Sequence, residues 1–239
     1  MAKPATPVKA QSPAARTSAK KMSPTAARTA VSKQARAVAI AAGNSTPVTS
    51  SRRASFTVPG LSAGAGTRVA EQLQKRLVSL VDLSLTLKHI HWNVVGPSFI
   101  GVHEMLDPQY HAVVAMVDDL AERIATLGGV PSALPQRIEQ DRTWDDYSLD
   151  RADALSHLGA LDVVYVGVIT DQRSAIERVG EDDPISEDLL VSQCAQLERF
   201  HWFVRSHLTD WAGGLANAGA TTEIGAAESV TAKTRRARA

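Results

Sequence analysis

Apolar residues recur at steps of three and four from about Thr67 to Val94, at Val69, Leu73, Leu77, Leu80, Leu83 and Leu87. That is the period of one buried face of an amphipathic helix. Gly96-Pro97 interrupts the pattern, and a second helix is predicted from Ser98 to Leu127, stopped by Gly128-Gly129. The stretch from Gly128 to Tyr147 holds two prolines and two glycines and has no clean period, so it reads as a connection. Ser148 can cap a third helix over Leu149–Val179, whose stripe is Leu158, Leu161, Tyr165, Val168 and Ile176. Ser186, with Glu187 and Asp188 in a first turn that favours acids, opens a fourth through about Trp211. Its inner face carries Leu190, Cys194, Leu197, Val204 and Leu208, and Gly213-Gly214 closes the folded part.

Helices of roughly 25 to 30 residues are each about 40 Å long and build a bundle. The short link makes the first two antiparallel neighbours, whereas the long connection can run the length of the bundle and leave the second and third parallel. The predicted class is all-α, with no strand pattern and no internal repeat. Three regions follow: a disordered basic arm over 1–55, a four-helix bundle over 56–214, and a flexible basic tail over 215–239.

Composition narrows the class. A hydrophobic content of 44% suits a soluble globular protein, and the longest apolar run is far below the roughly 20 residues that span a bilayer. A single cysteine, Cys194, excludes an intrachain disulfide framework and reads as buried filler. The net charge of +1 hides an asymmetry. Residues 1–58 hold Lys3, Lys9, Arg16, Lys20, Lys21, Arg28, Lys33, Arg36, Arg52 and Arg53 with no acid, and residues 229–239 add Lys233, Arg235, Arg236 and Arg238. Subtracting that +14 from the net +1 leaves −13 for residues 59–228.

The candidate chemistry lies between Lys88 and Glu122. On a wheel of the second helix Asp107, Asp118 and Glu122 fall about 40°, 60° and 100° from His103, on one stripe. Buried, such a stripe asks for a cation; exposed, it is ordinary solvated surface. Asp107 and Asp118 are about 16 Å apart along the axis, while a metal sits about 2.1 Å from each ligand, so one helix cannot close one site. An antiparallel helix from a two-fold partner could, by setting His103 and Asp107 of one chain opposite Asp118 and Glu122 of the other. His91, across the tight turn, reaches the same point. Imidazole and carboxylate suit Fe(II), Zn or Mn, and the ligand chemistry alone leaves the choice open.

The spacing His91-x11-His103-x3-Asp107-x10-Asp118-x3-Glu122, set in "HWNVVG", "FIGVHEMLD" and "AER", resembles the Dps family of mini-ferritins. The resemblance extends from about Phe56 to Trp211, through "DRTWDDYS" and "FHWFVRSHL", and is nearest to actinobacterial members. It implies a ferritin-like four-helix bundle with one long crossover, assembling into a dodecameric shell with ferroxidase centres across each two-fold interface. His91, His103 and Asp107 would come from one subunit and Asp118 and Glu122 from its mate. Trp92 would intercept stray oxidising equivalents, although plain core packing is an equal reading. The family oxidises Fe(II) with hydrogen peroxide, or more slowly dioxygen, and stores ferric mineral. Iron is thus the implied metal. Asp146, Asp150 and Asp153 are candidates for an iron-entry pore, though acids are favoured at any helix N-terminus.

Glu198 and His201 form one E-x-x-H pair, and a diiron centre inside a single bundle needs two. The basic ends match DNA phosphate, with salt-dependent and sequence-independent binding. A targeting peptide and an inert solubilising tail compete for the same composition. Within the resemblance the protein is a cytoplasmic, nucleoid-associated homo-oligomer that protects against oxidative stress. The rival is a structural nucleoid protein whose metal site is vestigial.

Overall fold

Ser62 accepts a hydrogen bond from the Ala65 amide at 3.2 Å and starts helix α1 (Ala63–Asn93) in this computed structural model, which describes residues 56–238. The chain leaves α1 as the two-residue strand β1 (Val94–Val95), turns at Gly96 with φ +95°, and enters α2 (Phe99–Thr126). A residue with a Cβ is strained at that φ, so glycine permits the tight link. The crossover carries one short helix, α3 (Pro135–Asp141), and ends in β2 (Ala152–Asp153). Then come α4 (Ala154–Gly180) and α5 (Pro184–Leu208).

β1 and β2 pair in parallel, Val94 with Ala152 and Val95 with Asp153. That pairing, absent from the sequence-based expectation, sets the topology. It places the start of α4 beside the end of α1, where α2 also starts, so α2 and α4 run the same way. Three contacts on α1 hold the crossover along its length. Gln74 receives the Ser132 amide at 3.0 Å and donates to its carbonyl at 2.6 Å. Asp82 accepts from Arg142 at 3.2 Å and from the Trp144 indole at 2.7 Å. His89 meets the Leu149 carbonyl at 2.8 Å. These anchors recur about every two turns of α1, and the crossover therefore climbs beside it.

The predicted leucine stripe is the core. Leu73, Leu80, Leu87, Leu120, Leu158, Leu161 and Leu197 are fully enclosed, and each contributes about 1.5–3 kcal/mol by leaving water. α1 packs on α2 and α4, and α4 packs on α5. Tyr165 donates to Gln109 at 2.7 Å inside the bundle. By length and composition α4 could cross a membrane, unlike the reading from apolar runs. Its Leu158, Leu161, Tyr165 and Val179 are the bundle's interior, which accounts for that composition.

Two helix starts differ from expectation. Asp153, not Ser148, caps α4, its Oδ1 accepting from the amides of Leu155 (3.0 Å) and Ser156 (3.1 Å). Ser148 does not start the helix because the chain after it stays non-helical as far as β2, whose Ala152 and Asp153 are held extended against β1. Asp183, with Pro184 behind it, caps α5 three residues before Ser186. Pro184 favours the first helical position because it needs no hydrogen bond there. α5 ends at Leu208, before Trp211, because Thr209 turns extended and pairs with Leu215.

The expected flexible tail over 215–239 is corrected by a further helix, α6 (Glu223–Arg238), packed on α4. Ala226, Ala227 and Val230 are buried, and a Cβ on Gly159 would come within 3.0 Å of Val230 and 3.2 Å of the Ala226 carbonyl. A small face on α6 thus meets the bare backbone of α4. The segment before α6 is tied by a buried cluster: Asp162 accepts from His201 at 2.6 Å, Arg205 at 2.7 Å and Asn217 at 2.8 Å. Burial alone would raise the Asp162 pKa, but these three donors outweigh it and bring it to about 2. Because the folded value is depressed, this stability is present above the ordinary 3.8 and is lost as pH falls through about 2. Asp162→Ala should cost about 3 kcal/mol in urea unfolding and remove that acid limb. An unchanged midpoint at pH 7 would refute the assignment. The disordered arm expected over 1–55 lies outside the described residues.

Candidate metal centre

The α1–α2 turn folds His91 and His103 onto each other. Their rings stack with centroids 3.6 Å apart, His91 Nδ1 faces the His103 carbonyl at 3.0 Å, and His103 Nδ1 faces the His91 carbonyl at 2.9 Å. A carbonyl only accepts, so each Nδ1 must carry the proton. Each Nε2 then keeps its lone pair whenever the ring is neutral. Backbone carbonyls fixing a histidine tautomer in this way are the usual support of a metal-ligating imidazole. Phe99 backs His103 at 4.9 Å.

Asp107 lies one turn beyond His103, with Oδ1 3.3 Å from His91 Nδ1 and 2.6 Å from Lys88 Nζ. The Lys88 hydrogen bond leads the causes that hold its carboxyl below the usual range, with the two histidines adding to it. Lys88 was not singled out in the sequence reading, although it sits three residues before His91 and so on a neighbouring face of α1. Its ammonium also lies 5.0 Å over the Tyr110 ring. Lys88→Met should tighten Fe(II) binding roughly fivefold, because a cation no longer competes for Asp107. Calorimetric titration would check this, and an unchanged affinity would show that Lys88 moves aside freely.

Asp118 and Glu122 stand farther along α2, exposed, and their side chains meet no hydrogen-bond or ionic partner among the described residues. The structure therefore gathers His91, His103 and Asp107 but not the other two. Among the described residues no three His, Cys, Asp or Glu side chains are set to hold one ion. The two imidazoles and the ionised carboxylate fit a hard or borderline divalent metal. They lack its remaining donors.

Trp92 is 72% exposed and, with Leu85, Pro135 and Ile138, lines a groove beneath the crossover, so core packing does not explain it. Of the pore candidates, Asp146 is paired with Arg142 at 2.5 Å and Asp150 is exposed. Asp153 is committed to the α4 cap and to the Ser156 hydroxyl. The E-x-x-H pair dissolves. Glu198 binds Arg173 at 2.7 Å, while His201 belongs to Asp162. Cys194 is buried, and burial pushes its thiol up to about 11. The DNA-binding candidates Lys233, Arg235 and Arg236 are exposed on α6, and Lys233 is held by Asp210 at 3.0 Å. The ten cations from Lys3 to Arg53 lie outside the described residues.

The chain is similar to known proteins in sequence and in fold. The family description of the ferritin-like domain matches residues 70–213. The DNA protection during starvation protein of Mycolicibacterium smegmatis is 55% identical over 174 residues, 73% of this chain and 95% of that protein. The solved structure of Mycobacterium smegmatis Dps superposes with a TM-score of 0.70 at 54% identity, covering 71% of this chain and 97% of that one. DpsA14 from Streptomyces coelicolor superposes at 0.67 with 56% identity, covering 68% and 96%. With the bundle, its crossover and the paired histidines on α1 and α2, these likenesses place the chain in the Dps family of ferritin-like proteins.

Proposed function

We propose that the protein is a mini-ferritin that oxidises Fe(II) and stores it as ferric mineral inside a shell of twelve copies, while its basic ends bind double-stranded DNA without sequence preference. The observation that carries the reading is the half-site: two imidazoles with their Nδ1 protons fixed by backbone carbonyls, beside an ionised Asp107. The exposed Asp118 and Glu122 on the same helix supply what the half-site lacks when a second copy packs antiparallel across α2.

The chemistry follows from that donor set. Two Fe(II) ions each give one electron to hydrogen peroxide, the O–O bond breaks, and two protons complete two waters. Two-electron delivery leaves no hydroxyl radical. His91 and His103 offer Nε2 lone pairs, and the carboxylates of Asp107, Asp118 and Glu122 favour the ferric product. Dioxygen is the slower oxidant. Trp92, exposed next in sequence to His91, is the side chain placed to intercept a stray oxidising equivalent. The −13 of residues 59–228 draws Fe(II) to the shell, with Asp146 and Asp150 at its entry pores. Asp153 joins them only through what its capping role leaves exposed. A DNA-bound particle is cytoplasmic and nucleoid-associated.

The Lys88 ammonium on Asp107 favours a second reading, a nucleoid-compacting protein with little ferroxidase turnover. Sizing the native particle and following Fe(II) loss after peroxide addition separates the two. The expected result is a particle of about 300 kDa, the mass of a closed twelve-copy shell, consuming two Fe(II) per peroxide. A DNA-binding shell with no Fe(II) loss above buffer would select the second reading, and a 25.5 kDa monomer would exclude both.

A further inference from the structure

On the opposite half of α1 from the histidines, α1, the crossover and α4 enclose a cleft of about 740 Å3. Arg76 forms part of its wall with Lys75, Arg178, Ser132 and Trp144. The Arg76 side chain is only 8% exposed. Among the described residues its Nη2 reaches a single acceptor, Asp171 Oδ2, at 3.3 Å, and its Nη1 is enclosed with none. Asp171 is itself 53% exposed and shares its charge with water. The Gln74 amide, the nearest neutral alternative in sequence, is already spent on Ser132.

The other cations of the cleft do not relieve this. Arg178 donates to Ser174 at 2.7 Å and Gln72 at 3.4 Å and meets no carboxylate among the described residues. Lys75 is exposed and makes no ion pair among the described residues. At the rim Arg137 and Asp141 neutralise each other at 2.5 Å, and Glu71 is engaged in an interaction of its own. Burial pushes the Arg76 guanidinium below its ordinary range, Asp171 pulls it back, and the like charge of Arg178 depresses it further. A methionine of similar length would fill the space without a charge to desolvate. A buried guanidinium that lines a polar cleft with one long bond to its charge partner has donor capacity left for an anion's oxygens, through its exposed edge first and through the enclosed Nη1 once the side chain shifts outward.

We propose that this cleft binds a free phosphate-class oxyanion, with Arg76 in its wall and Arg178 and Lys75 completing the cage. Three cations from α1 and α4 suit a tetrahedral dianion better than a single carboxylate, since each can take a separate oxygen. A guanidinium that is itself nine-tenths buried is reached by a small free anion more readily than by a duplex backbone. The inference is independent of the iron chemistry proposed above.

The test uses the intact, iron-free assembly, titrated with sodium orthophosphate and, separately, with sodium chloride at matched ionic strength. Phosphate should raise Tm saturably where chloride does not. Arg76→Met should raise Tm in chloride, because an unpaired buried charge is gone, and weaken phosphate binding by about tenfold or more. Arg178→Gln should weaken phosphate about fivefold, read as the midpoint of the saturable Tm rise rather than as the Tm in chloride. Equal effects of the two salts on the wild type would overturn the proposal, as would a lower Tm of Arg76→Met in chloride with undiminished phosphate binding. Displacement of bound phosphate by a short DNA duplex would also overturn it, by assigning the cleft to the nucleic-acid backbone.

Discussion

Chains carrying His103→Ala with Asp107→Ala, and chains carrying Asp118→Ala with Glu122→Ala, should each lose peroxide-dependent Fe(II) oxidation by about a hundredfold or more, because ligand loss removes the metal rather than slowing it. Co-expressed in equal amounts, the two dead chains should recover activity. In a dimer of one of each, one centre contains both damaged pairs and the other contains neither. Random pairing across an isologous two-fold interface then leaves about a quarter of all centres intact. The arithmetic is specific to a shared site. If each chain closed its own centre, no mixture could restore one. A co-expressed particle that stays inactive, while each variant still assembles, would reject the intersubunit arrangement even if the wild type oxidises iron.

The second large effect concerns DNA. A chain starting at residue 56 loses ten cations and no acid. Each phosphate contact contributes about 0.9 to the slope of log affinity against log salt, so even half of those cations would change duplex affinity by several orders of magnitude at low salt. The full-length protein should retard duplex DNA at low ionic strength and release it steeply as salt rises; the shortened chain should show a weak, shallow response. Replacing Lys233, Arg235, Arg236 and Arg238 by Gln should do less, since only four charges go and Lys233 already has a partner in Asp210. Twelve arms per particle would amplify the difference through avidity. Equal retardation by the full-length and shortened chains would clear the arm of this role.

Much of the bundle was legible because its signals are local. Leu73, Leu77, Leu80 and Leu87 share a face whatever they pack against, and Gly96 and Gly128, both at positive φ, mark turns that few other residues tolerate. Cap positions were less legible. Ser148 and Asp153 are both competent N-caps, and the choice fell to Asp153 because pairing with β1, about 58 residues earlier in the chain, keeps Ala152 and Asp153 extended until the helix begins. α6 was missed for a related reason. Its buried face is two alanines and a valine, too weak a stripe to stand out, and it becomes a helix surface only against Gly159.

The same division runs through the candidate centre. The order of residues alone set His91, His103, Asp107, Asp118 and Glu122 in a helical register too long for one chain to close around one ion. Tertiary structure decided which nitrogen of each histidine stays free, through carbonyls twelve residues away. It also decided that Lys88 holds Asp107 and that Arg76 is buried with an unmet nitrogen. Periodicity is a property of neighbours along the chain and survives in any fold. Partnership between charges depends on which surfaces the packed helices bring within about 3 Å, and that distance exists only once the bundle has formed.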